Sequence, residues 1–212
     1  MNKRIEFHTH TILSDGAVLP SELIRRAYVA DHEAIAITDH VDFSNVDSVI
    51  HATKRAAEES CGIEVLVGVE ITHVAPEKIP KLVEKAKALG AQIVLVHGET
   101  IAEPVAPGTN KAAAAVSDVN IIAHPGLVSL EDVELASQNG IYLELTARCG
   151  HNVTNGHVAK IASNLLINTD CHGTELITNA EAEQIARGAG LNKDQALHSV
   201  HRNATSLLNE IL

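Results

Sequence analysis

Eight imidazole and carboxylate side chains fall at the ends of short apolar runs. His8 and His10 follow Ile5-Glu-Phe7, His40 follows Ala34-Ile-Ala-Ile-Thr38, and Glu70 closes Glu64-Val-Leu-Val-Gly-Val69. His97 follows Ile93-Val-Leu-Val96, His124 follows Ile121-Ile-Ala123, and Asp170 and His172 follow Leu165-Leu-Ile-Asn-Thr169. A ninth group, Asp15, lies in Ser14-Asp-Gly16. Nitrogen and oxygen donors of this kind are the ligands of divalent metal ions. Histidine is also the compositional outlier, with 13 residues against two Tyr, two Phe and no Trp.

Each group alone has a plainer account. His8-Thr-His10 is a weak signal by itself, although alternate residues of an extended chain put both rings on one face. Asp15 beside glycine reads as a turn, and Asp39-His40 as a helix-capping pair. His97 and His124 read as satisfied core histidines. Glu70 is harder to dismiss, because a carboxylate after six mostly apolar residues loses its hydration unless a cation or an opening to solvent compensates. The recurrence at successive run ends, rather than any one residue, points to ligation.

The elements that must position these groups alternate between the two regular types. Strands are expected at 4–7, 34–38, 64–69, 92–96, 119–123, 141–145 and 165–169. Helices are expected near 20–30, 46–60, 76–89, 110–116, 129–139, 153–163, 178–188 and 193–210, with Gly90 and Gly140 as stops. Strands alternating with helices imply βαβ units and a parallel sheet. Seven such units predict an α/β fold, a distorted seven-stranded (β/α)7 TIM-like barrel. In a barrel the loops at the carboxyl ends of the strands build the site, so residues far apart in sequence converge there.

Composition bounds the rest. The 212 residues carry no linker-like segment and are expected to form a single domain over 1–212. With 45% hydrophobic but 2% aromatic residues, the core must be aliphatic, as in strands buried on both faces. A net charge of −11 disfavours a nonspecific grip on nucleic acid or an anionic membrane. Three scattered cysteines form neither a disulfide framework nor a thiolate zinc site. With no apolar leader or membrane-spanning run, a cytoplasmic location is expected.

The ordered set His8-Thr-His10, Ser14-Asp-Gly16, Thr38-Asp-His40, Gly68-Val-Glu70, His97, Ala123-His-Pro125 and Thr169-Asp-Cys-His172 resembles the motifs of the polymerase and histidinol phosphatase (PHP) superfamily. The resemblance spans residues 8–172. It implies the PHP fold and two or three divalent metal ions, zinc, manganese or iron, that hydrolyse phosphate esters through a metal-activated hydroxide. By motif, His8, His10, Glu70 and Asp170 would bind one ion. Glu70 would bridge to a second ion that also takes His97 and His124, and Asp15, His40 and His172 would hold a third. Three carboxylates against three such ions leave the cluster positive, an anion trap within an acidic protein.

Around this centre, Glu70 and Asp170 are the carboxylates expected to take part in catalysis. Arg148, after the strand without an evident ligand, is a candidate phosphate grip or else a surface ion pair. His157 and His151 are candidate proton donors or loop residues, Lys111 is a solvated lysine, and Cys171 a packing residue. His32, His51, His73, His198 and His201 are taken as surface or packing residues. The expected substrate is a small phosphorylated molecule, as for a histidinol-phosphatase-like phosphomonoesterase. A nuclease of short oligonucleotides, an amidohydrolase-like enzyme and a non-catalytic scaffold are the alternatives. An amidohydrolase would normally have eight strands and often a carboxylated lysine, and degenerate scaffolds tend to lose ligands that this chain keeps.

Overall fold

The computed structural model describes residues 3–212. Strands β1 (Arg4–Glu6), β2 (His32–Ile37), β3 (His40–Val41), β4 (Glu64–Ile71), β5 (Ile93–His97), β6 (Ile121–Ala123), β7 (Tyr142–Thr146) and β8 (Leu165–Asn168) form one parallel sheet. Its order is β1-β2-β4-β5-β6-β7-β8, and the two-residue β3 pairs beside β4. Helices α1 (Pro20–Val29), α2 (Val46–Glu58), α3 (Ile79–Leu89), α4 (Thr109–Ala114), α5 (Leu130–Gln138) and α6 (Asn155–Ile161) follow in alternation. The chain ends in α7 (Asn179–Gly188), α8 (Lys193–Leu197) and α9 (Ala204–Ile211). The seven expected strands are therefore present, nearly closed into a TIM-like barrel.

Two differences from expectation bear on the site. The third expected strand runs on to Ile71, so Glu70 lies inside β4 and pairs with His40 across the sheet. The C-terminal helix expected at 193–210 is interrupted by a π-helical stretch at His198–Asn203.

Alternation along the strands links core to site. Leu66, Leu95 and Tyr142 belong to one apolar cluster that also holds Phe7, Ala36, Ile121 and Leu166. Residues two or four positions further along an extended strand share that face. Glu70, His97 and Glu144 thus sit on the same side, one or two pleats toward the carboxyl ends. Ala204, Leu207 and Leu208 of α9 join the inner cluster. A second, larger cluster packs the outward residues Val67, Val69, Val94 and Val96 against helical residues such as Leu82 and Val83 of α3.

The seam between β1 and β8 is closed by a single backbone bridge, Thr9 with Cys171. There the His10 N–H donates to the Cys171 carbonyl at 2.8 Å. Elsewhere side chains replace the ladder. The Phe7 N–H donates to Asn168 Oδ1 at 3.3 Å and the Thr169 N–H to Glu6 Oε1 at 3.0 Å. Arg4 donates to the Ile167 carbonyl and pairs with Glu6 at 3.1 Å, both fully buried. Closure removes the unpaired edges an open sheet would expose. Among the described residues, no helix is long and apolar enough to cross a membrane.

Candidate metal centre

Glu70 and Asp170 stand at the middle of the centre, each almost wholly buried. Glu70 Oε2 is 3.2 Å from His8 Nε2, 3.4 Å from His10 Nε2 and 3.0 Å from His40 Nδ1. Its other oxygen is 3.5 Å from His124 Nε2. Asp170 Oδ1 is 3.2 Å from His10 Nε2, 3.5 Å from His8 Nε2 and 3.4 Å from His172 Nδ1. Yet His8 Nε2, both nitrogens of His10, both oxygens of Glu70 and Asp170 Oδ1 make no hydrogen bond. Buried polar atoms left without partners cost about 1–3 kcal/mol each. Lone pairs this close that do not bond to one another fit cations lying between them.

Among the described residues, four overlapping groups of donor atoms, each within 4.8 Å of one another, cover this region: His8, His10 and Glu70; His8, His124 and Asp170; His97, His124 and His151; and His10, Asp15, His40 and His172. All nine residues expected from the sequence are thus brought together. The first two groups hold the residues expected at the first ion, and the last holds Asp15, His40 and His172. Asp15 Oδ1 lies 3.2 Å from His172 Nε2 and 3.6 Å from His40 Nε2, on the more open side of the centre.

Local backbone geometry aims several of these groups. His124 has φ 27° and Asp170 φ 52°, positive values that are uncommon outside glycine, though His and Asp adopt them more readily than most residues. Gly126 supplies the turn after His124. It has φ 67°, and a Cβ there would stand 1.8 Å from the Glu99 carbonyl oxygen. Asp39 does not cap a helix, contrary to expectation. Its carboxylate accepts from the Thr11 N–H at 2.7 Å, the Thr11 hydroxyl at 2.8 Å and the Ser14 hydroxyl at 2.6 Å. It thereby fixes the loop between His10 and Asp15.

Glu144 is not among the residues expected from the sequence. Glu144, fully buried on β7, accepts from His8 Nδ1–H at 2.8 Å, from Asn168 Nδ2 at 2.9 Å and from the His124 N–H at 3.1 Å. Holding Nδ1 protonated leaves His8 Nε2 as the free donor atom, the carboxylate–histidine–metal arrangement. The signal for Glu144 was its place in Tyr142-Leu-Glu-Leu-Thr146, where every neighbour is a strand former and the acid has no route to solvent.

The electrostatics of these side chains follow from this crowding. Burial opposes a charge on His8, but Glu144, Glu70 and Asp170 outweigh it and hold its pKa well above the ordinary histidine value. Burial pushes Asp170 up to about 7, with Glu70 and Glu144 adding to the rise. Burial would raise Glu70 too, but His8 and His40 hold it well below the usual carboxylate range. Burial keeps His10 and His124 neutral, helped by neighbouring imidazoles. Protons on His8 and Asp170 must therefore leave when a cation binds. Metal affinity is expected to rise with pH through the region of about 7, with protons released. Calorimetric titrations of metal in buffers of differing ionisation enthalpy check this, and a pH-independent affinity without proton release would contradict it.

The other residues singled out in the sequence fall as follows. Arg148 lies against the centre, with Nε 3.6 Å from Asp170 Oδ2 and Nη1 donating to the Asp170 carbonyl at 3.3 Å. His157 Nε2 instead donates to the Val128 carbonyl at 2.8 Å, which commits that nitrogen to holding a loop rather than to proton delivery. Lys111 pairs with Glu131 at 3.1 Å on the surface. Cys171 is buried, and burial pushes its thiol up to about 12, which suits packing and not nucleophilic attack.

Comparison with known proteins gives a consistent picture. The PHP domain model matches residues 6–114. The chain is 48% identical over 98% of its length to the whole of Uncharacterized protein MJ1295 of Methanocaldococcus jannaschii. It is 28% identical to a 5'-3' exoribonuclease of Haemophilus influenzae, over 56% of this chain and 47% of that protein. Among solved structures, A. niger ochratoxinase superposes with a TM-score of 0.66 at 12% identity, covering 98% of this chain and 71% of that one. At that identity the likeness is one of fold. The domain match, taken with the cluster at the barrel mouth, shows that the chain belongs to the PHP domain family.

Proposed function

We propose that the chain is a metal-dependent phosphoesterase, a phosphomonoesterase of histidinol-phosphatase type acting on a small phosphorylated substrate. The observation that carries this reading is the convergence of unpaired buried donor atoms on Glu70 and Asp170 at the barrel mouth, with the Arg148 guanidinium beside them. When bound, two or three divalent ions (zinc, manganese or iron) would supply Lewis acidity and a hydroxide at neutral pH. Glu70 and Asp170 would hold these ions and set the charge of the pocket. Glu144 fixes the tautomer of His8. Arg148, about one-third exposed, keeps N–H groups free for phosphate oxygens. The three cysteines are free thiols, which suits a reducing cytoplasm.

Arg148→Ala is expected to lower kcat/KM for a phosphoester by about 10–100-fold, mostly through KM, and to leave metal content unchanged. Steady-state kinetics with elemental analysis separates that result from loss of the centre. A phosphodiesterase reading is favoured by one observation, the match to the exoribonuclease. Both are tested by a phosphate-release and cleavage screen over sugar phosphates, histidinol phosphate, nucleotides and short oligonucleotides, with the metal-loaded protein. Release from monoesters supports the proposal, cleavage of oligonucleotides alone favours the second reading, and neither would leave the chain a binding protein.

A further inference from the structure

The strand with no evident ligand in the sequence, β7, supplies one through the turn that follows it. Gly150, at φ 90°, directs the chain into a short 3-10 turn that begins at His151. The His151 ring is only 7% exposed and meets the His124 ring edge-on at 4.4 Å between centroids, while His97 meets His124 at 4.5 Å. His151 Nδ1 is buried and makes no hydrogen bond. His97 Nδ1 is occupied by the Gly98 carbonyl at 3.2 Å, which turns its Nε2 toward the same space.

A carboxylate reaches that space from outside the barrel. Glu103 Oε2 lies 3.3 Å from His97 Nε2 and its Oε1 3.3 Å from His151 Nε2. His73 Nε2 hydrogen-bonds to Glu103 Oε2 at 3.2 Å. Glu103 rides on the loop between β5 and α4. The base of that loop is anchored by Glu99, whose Oε1 accepts from the Gly108 and Asn110 N–H groups at 3.0 and 2.9 Å. Its tip, at Ile101, is 62% exposed.

We propose that His151 is a third imidazole ligand of the second ion, beside His97 and His124, and that Glu103 caps this ion with a carboxylate held in place by His73. Neither His151 nor Glu103 belongs to the ligand set implied by family motifs. The inference rests on the metal-centre reading above and makes the second site richer in protein donors. It also makes the 98–108 loop part of that site, so an incoming phosphate oxygen has to share or displace the Glu103 carboxylate.

The test is titration of the metal-stripped full chain with cobalt(II), followed by visible absorption and elemental analysis, for the wild type, Glu103→Gln and His151→Ala. Glu103→Gln is expected to bind as many ions as the wild type, with one class weakened about 10–100-fold. His151→Ala is expected to bind one ion fewer. His157→Ala, outside the cluster, is expected to match the wild type. If His151→Ala does not fold by circular dichroism, His151→Gln is read the same way. Variants at 103 and 151 that keep every ion at unchanged affinity would overturn the proposal while leaving the metal-centre reading intact. A wild type that binds no cobalt would instead sink the metal-centre reading itself.

Discussion

Replacing Glu70 by glutamine is expected to strip the centre of metal and abolish hydrolysis while the barrel stays folded. Glu70 faces His8, His10, His40 and His124 at 3.0–3.5 Å, so its carboxylate lies among ligands expected at all three ions. Glutamine keeps the volume, so the packing of β4 between β2 and β5 need not change. It loses the negative charge that balances the ions and one of two acceptor oxygens. Residues that act as a unit fail together, so kcat/KM should fall by about 10⁴-fold or more. Elemental analysis, phosphate release and thermal melting of the same preparation check the three parts of the expectation. Full activity in that variant would refute the assigned site.

Glu144 carries the second large effect, and it separates two roles of one side chain. Its oxygens accept from three buried donors, two side-chain and one backbone. In Glu144→Gln one of those donors meets an NH2 group, His8 loses its fixed tautomer, and metal affinity should drop about 10–100-fold. In Glu144→Ala all three donors are orphaned and the positive His8 stands without its nearest carboxylate. Removing one member of a buried charge pair costs about 3–5 kcal/mol, and the metal-free protein should lose stability by that order. Denaturant unfolding of the stripped variants measures the difference. Equal stability of Glu144→Ala and wild type would show that His8 does not depend on this partner.

The centre was largely legible in the sequence because a barrel converts sequence order into one place. Eight of the nine expected ligands lie at or just past the carboxyl end of a strand, and closure brings those ends together whatever lies between them, while Asp15 comes in on the loop after His10. His124 shows how far this goes. The Pro125-Gly126 turn was visible as sequence, but the positive φ of His124 itself was not. What escaped detection are groups whose roles depend on tertiary approach. Glu144 sits mid-strand in an alternation that says only which face it takes, not that His8 waits across the barrel. Asp39 resembled a helix cap because short acids before polar residues usually are, yet its partners come from the His10–Asp15 loop. Glu103 belongs to a loop with no periodicity to read, and His151 owes its position to the conformation of Gly150. The seam between β1 and β8 was equally hidden, since buried Arg4 and Glu6 look like surface charges until the strand ends are joined.

The central claim is that these buried imidazoles and carboxylates form a multinuclear metal site, and elemental analysis of the purified full chain after loading and desalting tests it most directly. Two or three divalent ions per chain are predicted, removable by a strong chelator and restored by manganese, zinc or iron together with activity. A folded protein that retains no stoichiometric metal under those conditions would contradict it.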